Sequence, residues 1–193
     1  MMTVPYLDPR RASYLVLSAM VVTVVCWIIA GLMDEDWALF EKTLCHLGIS
    51  DILFVRILYP ISCAVIGFGM MLFGYSVAKV CDRRLQAAGY YACILFGISM
   101  LGIGFVNMDL SFNLHMTFVY AMGVTAVMVL LPITVDDLKH GKWALFAFVL
   151  FVAAGFIFFT IVNTDYQQPF TIACMFIWLI IKTAGIIRTG SAY

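Results

Sequence analysis

Charge is what this chain has least of. Only 11% of its 193 residues are Asp, Glu, Lys or Arg and the formal net charge is zero, where a soluble domain carries roughly 25% charged residues. No basic run offers a footprint for nucleic acid, so none is expected as a partner. The six cysteines, Cys26, Cys45, Cys63, Cys81, Cys93 and Cys174, form no C-x-x-C, which removes the usual zinc-ribbon and redox spacings. Thiols scattered through apolar runs behave as small hydrophobes. Neither H-E-x-x-H nor H-x-x-x-H occurs among the three histidines, so no single helix presents two ligands to a metal. Apart from Arg56 and Lys182, no Asp, Glu, Lys or His lies deep in an apolar run. Ion-coupled carriers and proton relays need such groups near the membrane midplane, so coupled transport is disfavoured. A haem protein is disfavoured because His46 and His115 are expected at one surface, not paired inside a core.

What is there is apolar: 64% of the chain, with a strongly positive mean hydropathy. A bilayer needs only about 20 apolar residues per helical span. Six such segments can be drawn, at about 13–33, 52–80, 86–106, 112–135, 143–162 and 169–187. Each is too long and continuous for the alternating strands of a membrane barrel. The fold class expected is an all-α integral membrane protein, a six-transmembrane-helix bundle forming one polytopic domain over residues 1–193. Arg10 and Arg11 precede a first run longer than a signal peptide's core, ending in Gly31-Leu32-Met33-Asp34 without an A-x-A site, so it reads as an uncleaved span.

With the N-terminus inside, Arg10, Arg11, Lys79, Arg83, Arg84, Lys139, Lys142, Lys182 and Arg188 fall on the inner side, against Lys42 and Arg56 outside. Nine against two predicts cytoplasmic termini in the plasma membrane. The outer side collects Asp34, Glu35, Asp36, Glu41, Asp51, Asp109 and Asp165. Trp37, Trp143, Tyr14, Tyr166 and Tyr193 fall near interfaces, where amphipathic rings anchor a helix.

The one long connection, 34–51, is half apolar. Roughly helical spacing of Trp37, Leu39, Phe40 and Leu44 predicts an interfacial helix lying as a lid over the outer end, ended by Gly48, with Ser50 or Asp51 capping the second span. Gly89, Cys93 and Gly97 in the third span, and Ala64, Gly67 and Gly74 in the second, read as packing faces. Pro60 and Pro132 are expected to kink the second and fourth spans. His140, in D-D-L-K-H-G-K, reads as a solvated residue of an inner turn, and Lys182 as a residue that snorkels inward.

The polar residues of the outer side are the candidate site. Arg56, about one turn inside the second span, either snorkels or pairs with Asp51 or Asp109, or anchors a lipid headgroup through its bidentate guanidinium. His46 stands beside Glu41, Ser50 and Asp51; His115 beside Asp109, Ser111 and Asn113. Arg56, His46, His115, Asp51 and Asn113 are the residues expected to contact a membrane lipid. Alternatively His46, Asp109 and His115 are acid–base groups or zinc ligands of a small intramembrane hydrolase or transferase acting on lipid. A partner helix or a homo-oligomer is a further use of the apolar surfaces.

The run L-x-H-L-G-I-S-D (Leu44 to Asp51), a second span with G-F-G-M-M-L-F-G, and G-I-G-F-V-N-M-D-L-S-F-N-L-H (Gly102 to His115) together resemble the prokaryotic six-span family known only as domain of unknown function DUF998. More distantly the chain is similar to the Frag/DRAM/Sfk group. The resemblance implies a six-helix bundle with its distinctive residues on the outer side and no established reaction; the remoter group adds only a loose association with lipid biology.

Overall fold

The computed structural model describes residues 6–141, 143–162 and 167–190. Of the residues named above, Lys142, Asp165, Tyr166 and Tyr193 lie outside that set. The described chain is helical: α1 (Pro9–Met33), a 3-10 helix (Leu44–Ile49), α2 (Leu53–Val80), α3 (Arg84–Phe105), α4 (Phe112–Lys139), α5 (Trp143–Val162) and α6 (Gln167–Thr189). Five of these, α1 to α4 and α6, are long and apolar enough to cross a membrane, and the described apolar stretch of α5 is the shorter Phe146–Phe158.

Each helix packs on its neighbours in sequence, and α6 returns to α1, so the six close into a ring. The contacts among α1, α2, α3 and α4 are the most extensive. Both ends of the described chain meet at one end of the ring, where the Arg10 guanidinium lies against Gly190. We call this the termini end; the 3-10 helix lies at the other, the loop end. Large apolar side chains such as Val21, Ile28, Phe68, Val124 and Phe151 remain exposed around the outside, a surface suited to acyl chains rather than water.

Local chemistry sets the helix ends. α1 begins four residues before the expected 13, because the Asp8 carboxylate accepts from the backbone N–H of Arg10 (2.9 Å) and Arg11 (3.4 Å) and Pro9 occupies the first turn, where no N–H is needed. α4 runs one turn past the expected 135 and stops at Gly141, whose φ of 78° no helix interior allows. Its Gly141 and His140 N–H groups return to the Leu138 and Asp137 carbonyls. That extra turn corrects the reading of D-D-L-K-H-G-K: Asp136 and Asp137 belong to α4 and are buried.

The lid is also corrected. Residues 35–41 form turns, with Phe40 at a φ of 74°, and the helical piece is the later, tighter Leu44–Ile49, which contains Gly48 instead of ending at it. Trp37 folds back on α1, where a Cβ on Gly31 would meet its ring at 2.6 Å; its indole N–H donates to the Thr43 carbonyl at 3.0 Å. The Leu44 N–H donates to Gln168 Oε1 at the start of α6 (2.8 Å), and Asn107 Nδ2 to the Gly48 carbonyl (3.4 Å). The segment is thereby tied to three elements. α2 starts after Ile52 without a side-chain cap of its own, while the Ser50 hydroxyl accepts from the Ile52 N–H.

Close packing follows the small residues. A Cβ on Gly67 would lie 2.8 Å from the Gly97 carbonyl oxygen, and one on Gly74 2.5 Å from Cys93 Cβ. Gly89, expected on the same stripe, faces α4 instead, where an added Cβ would lie 2.9 Å from the Val129 carbonyl oxygen. Gly69 admits Ala19 of α1, and the buried Thr23 hydroxyl donates to the Ser62 carbonyl across the α1–α2 contact at 3.1 Å.

Candidate functional site

Polar side chains gather at both ends of the ring. At the termini end, Arg83 Nη1 lies 3.1 Å from Asp136 Oδ2, and His140 Nδ1 donates to the Asp136 carbonyl at 2.7 Å while standing 3.6 Å from the carboxylate. One residue on, the fully buried Asp137 accepts from Gln86 Nε2 (2.9 Å) and pairs with Lys182 of α6. The α3, α4 and α6 helices are thus joined by charge, although α4 and α6 do not pack side by side. Lys182 turns into the bundle and does not snorkel, while His140, at the end of α4, is exposed as expected and bonds back to the Asp136 carbonyl. Burial of such charges is tolerated because each is matched and hydrogen-bonded.

The loop end holds the residues singled out from the sequence. An open groove of about 480 Å³ lies between the end of α1 and the connection that leads into α2, lined by Asp34, Glu35, Asp36, Trp37, Lys42, His46 and Asp51 with Met33, Ile49, Ser50 and Ile52. Four carboxylates against one lysine make it acidic. Arg56 is exposed and forms no ion pair with Asp51 or Asp109 within 4.0 Å, so of the roles expected for it the pairing is absent and an outward-reaching guanidinium remains. Its backbone N–H donates to the Ile52 carbonyl at 3.0 Å, so it stands one helical turn below a residue that lines the groove. Asp109 and Asn113 are exposed, outside the groove lining, and Ser111 caps α4 through the Leu114 N–H (3.4 Å).

The two histidines part company. A 3-10 helix turns about 120° per residue, so consecutive side chains at 45 and 46 project differently. His46 enters the groove and its Nδ1 meets the Thr43 hydroxyl at 2.9 Å. Cys45 turns inward, where Tyr59 of α2 donates its O–H to Sγ at 3.5 Å. His115, 1% exposed, stands on that inner side with Nδ1 2.6 Å from the Val106 carbonyl. Its Nε2 is buried with no partner in hydrogen-bond geometry. Among the described residues no three of His, Cys, Asp and Glu gather as a metal site requires; His46, Asp109 and His115 are not such a set.

Sequence reasoning missed two groups. Asp137 and Lys182 escaped because a D-D-L-K-H-G-K run reads as a turn; the signal available was that Val129, Ile133 and Asp137 continue one four-residue stripe. Cys45 and Tyr59 escaped because their contact is purely tertiary.

No curated protein and no solved structure matches this chain. The model of the family described as protein of unknown function (DUF998) matches residues 17–185. An all-helical, membrane-type bundle with its distinctive loop-end motifs on ordered elements agrees with that match, and the chain belongs to the DUF998 family.

Proposed function

We propose that this protein is a six-span plasma-membrane protein with both termini in the cytoplasm, and that it holds an amine-bearing phospholipid at its loop end. The observation that carries the reading is Arg56, exposed on α2 without a carboxylate partner, one turn beneath an acidic groove. A guanidinium at that depth favours a phosphate, which it grips through two parallel N–H bonds. The carboxylates of the groove above, Asp34, Glu35, Asp36 and Asp51, favour an ammonium. Cation below and anions above are complementary to a zwitterionic headgroup such as that of phosphatidylethanolamine. Below Arg56 the exposed Ile57 and Ile61 of α2 suit the start of the acyl region.

Native mass spectrometry of the protein released from phosphatidylethanolamine/phosphatidylglycerol nanodiscs tests this. Wild type should retain phosphatidylethanolamine selectively. Arg56→Gln should lower occupancy about tenfold, the loss of one charge-assisted contact, with Arg56→Lys intermediate. Equal retention by wild type and Arg56→Gln would end the proposal.

The orientation rests on the basic residues at the termini end, and Cys81, in the α2–α3 connection, reports on it. Burial pushes its thiol up, so less thiolate is present at neutral pH and labelling should be slow there and faster in mildly alkaline buffer. A membrane-impermeant maleimide should modify Cys81 only after permeabilisation of cells. Modification of sealed cells would place the termini outside.

A further inference from the structure

We propose that α3, α4 and α6 enclose a water-binding chamber beside the buried Asp137–Lys182 pair, in which a small cluster of ordered waters bridges α4 to α6. The chamber lies at the opposite end of the ring from the groove and does not depend on the headgroup reading.

Hydrogen bonds fix its floor. Asp137 of α4 accepts from Gln86 Nε2 of α3 at 2.9 Å and pairs with Lys182 of α6. Each of these helices then carries a second polar residue on the same face: Tyr90 four residues from Gln86, Thr134 three from Asp137, and Trp178 four from Lys182. Chain direction sets their depth. α3 leaves the termini end while α4 and α6 approach it, so all three lie on the same side of the pair, about 4.5–6 Å deeper in the bundle at the helical rise per residue.

Four polar atoms of this layer have no hydrogen-bond partner among the described residues: Gln86 Oε1, Tyr90 Oη, Thr134 Oγ1 and Trp178 Nε1. Their residues are at most 2% exposed, and native cores rarely leave such atoms unmatched. Thr134 departs from ordinary helix chemistry. Thr125, Thr160, Thr171 and Thr183 each donate to the carbonyl four residues back, and the Thr134 hydroxyl does not. The Gln86 carboxamide is held by its nitrogen, which leaves its oxygen as an acceptor beside the pair.

The chemistry of these atoms selects the occupant. The Trp178 indole N–H only donates, Gln86 Oε1 only accepts, and the two hydroxyls do both. Water meets all of these demands at once, and a buried water makes about three such bonds. An acyl chain filling the same space would leave all four atoms unmatched, which is costly inside a membrane. A free ion is not called for, because Asp137 and Lys182 neutralise each other. Space is available where the waters are needed: α4 and α6 are joined by the pair but do not pack side by side. Lys182 keeps 10% of its side chain exposed, and water enters past it.

The full-length protein in nanodiscs, irradiated with synchrotron X-rays and read by peptide mass spectrometry, tests the chamber, because hydroxyl radicals generated from bound water oxidise the side chains beside it. Tyr59 is the internal standard: it is also buried, but its hydroxyl already donates to Cys45. Tyr90 should be oxidised several times faster than Tyr59, with Trp178 oxidised as well. The Trp178 yield should fall severalfold when Thr134→Val is combined with Tyr90→Phe, which removes two of the partners. Thr134→Val alone should lower Tm by about 2–4 °C, since a methyl takes the place of a group bonded to water. In a dry chamber the same change would relieve an unmatched hydroxyl and raise Tm. Tyr90 and Trp178 as protected as Tyr59 in wild type would overturn the proposal, as would a Thr134→Val protein that melts at or above wild type. The wild-type footprint decides the matter whether or not the double variant folds.

Discussion

Replacing Lys182 by methionine should cost the bundle about 3–5 kcal/mol, a range set by what one partner of a buried ion pair loses when the other is removed. Asp137 is completely buried, and Lys182 is itself nearly so, with 10% of its side chain exposed. Methionine keeps much of the apolar stem but withdraws the charge, so the carboxylate is left in a low-dielectric interior with Gln86 among its remaining partners. The double change Lys182→Met with Asp137→Asn should recover most of the loss, because a neutral amide still accepts from Gln86 and no charge is stranded. Thermal unfolding in one detergent at fixed protein concentration measures both. A Lys182→Met protein as stable as wild type would mean that the pair does not tie α6 to α4.

The spans were legible because hydropathy acts over twenty residues at a time, and a bilayer leaves a continuous apolar run few alternatives to helix. The helix ends were less so, since they depend on single residues: Asp8 and Pro9 lengthen α1, and the left-handed Gly141 lets α4 run through two aspartates that composition assigns to water. At the loop end, the sequence supplied the polar residues but not how the fold divides them. His46 and His115 both lie at the loop end, yet they serve opposite sides of one 3-10 turn whose formation in place of a longer lid helix no periodicity announces. Arg56 was expected to snorkel, to pair with Asp51 or Asp109, or to hold a headgroup, and its exposure on α2 with no carboxylate within 4.0 Å removes only the pairing. Pairings that depend on which faces six helices turn to one another are properties of packing, and spacing within a segment does not encode them.

Gly97→Val should separate α2 from α3 and cost about 1–3 kcal/mol, the range for overpacking a tight contact. A Cβ there would press on the Gly67 carbonyl and on Met71 Cγ. The methionine can rotate away; the carbonyl is backbone and cannot. The reciprocal approach, Gly67 toward the Gly97 carbonyl at 2.8 Å, means that relief at one glycine tightens the other, so α2 and α3 must part along their length. In lipid this contact is held by close packing, since acyl chains are as apolar as the side chains they would replace. Gly123→Ala is the control: no heavy atom lies within 4 Å of a Cβ at that position in α4, and alanine should be neutral or gain up to about 1 kcal/mol from helix propensity. The two substitutions therefore differ in sign. Tyr59, whose O–H donates to Cys45 Sγ, belongs to α2, so Gly97→Val should also loosen that contact and raise the alkylation rate of Cys45 above wild type. A Gly97→Val protein that melts with Gly123→Ala and leaves Cys45 equally slow to react would show that α2 and α3 do not approach through these glycines.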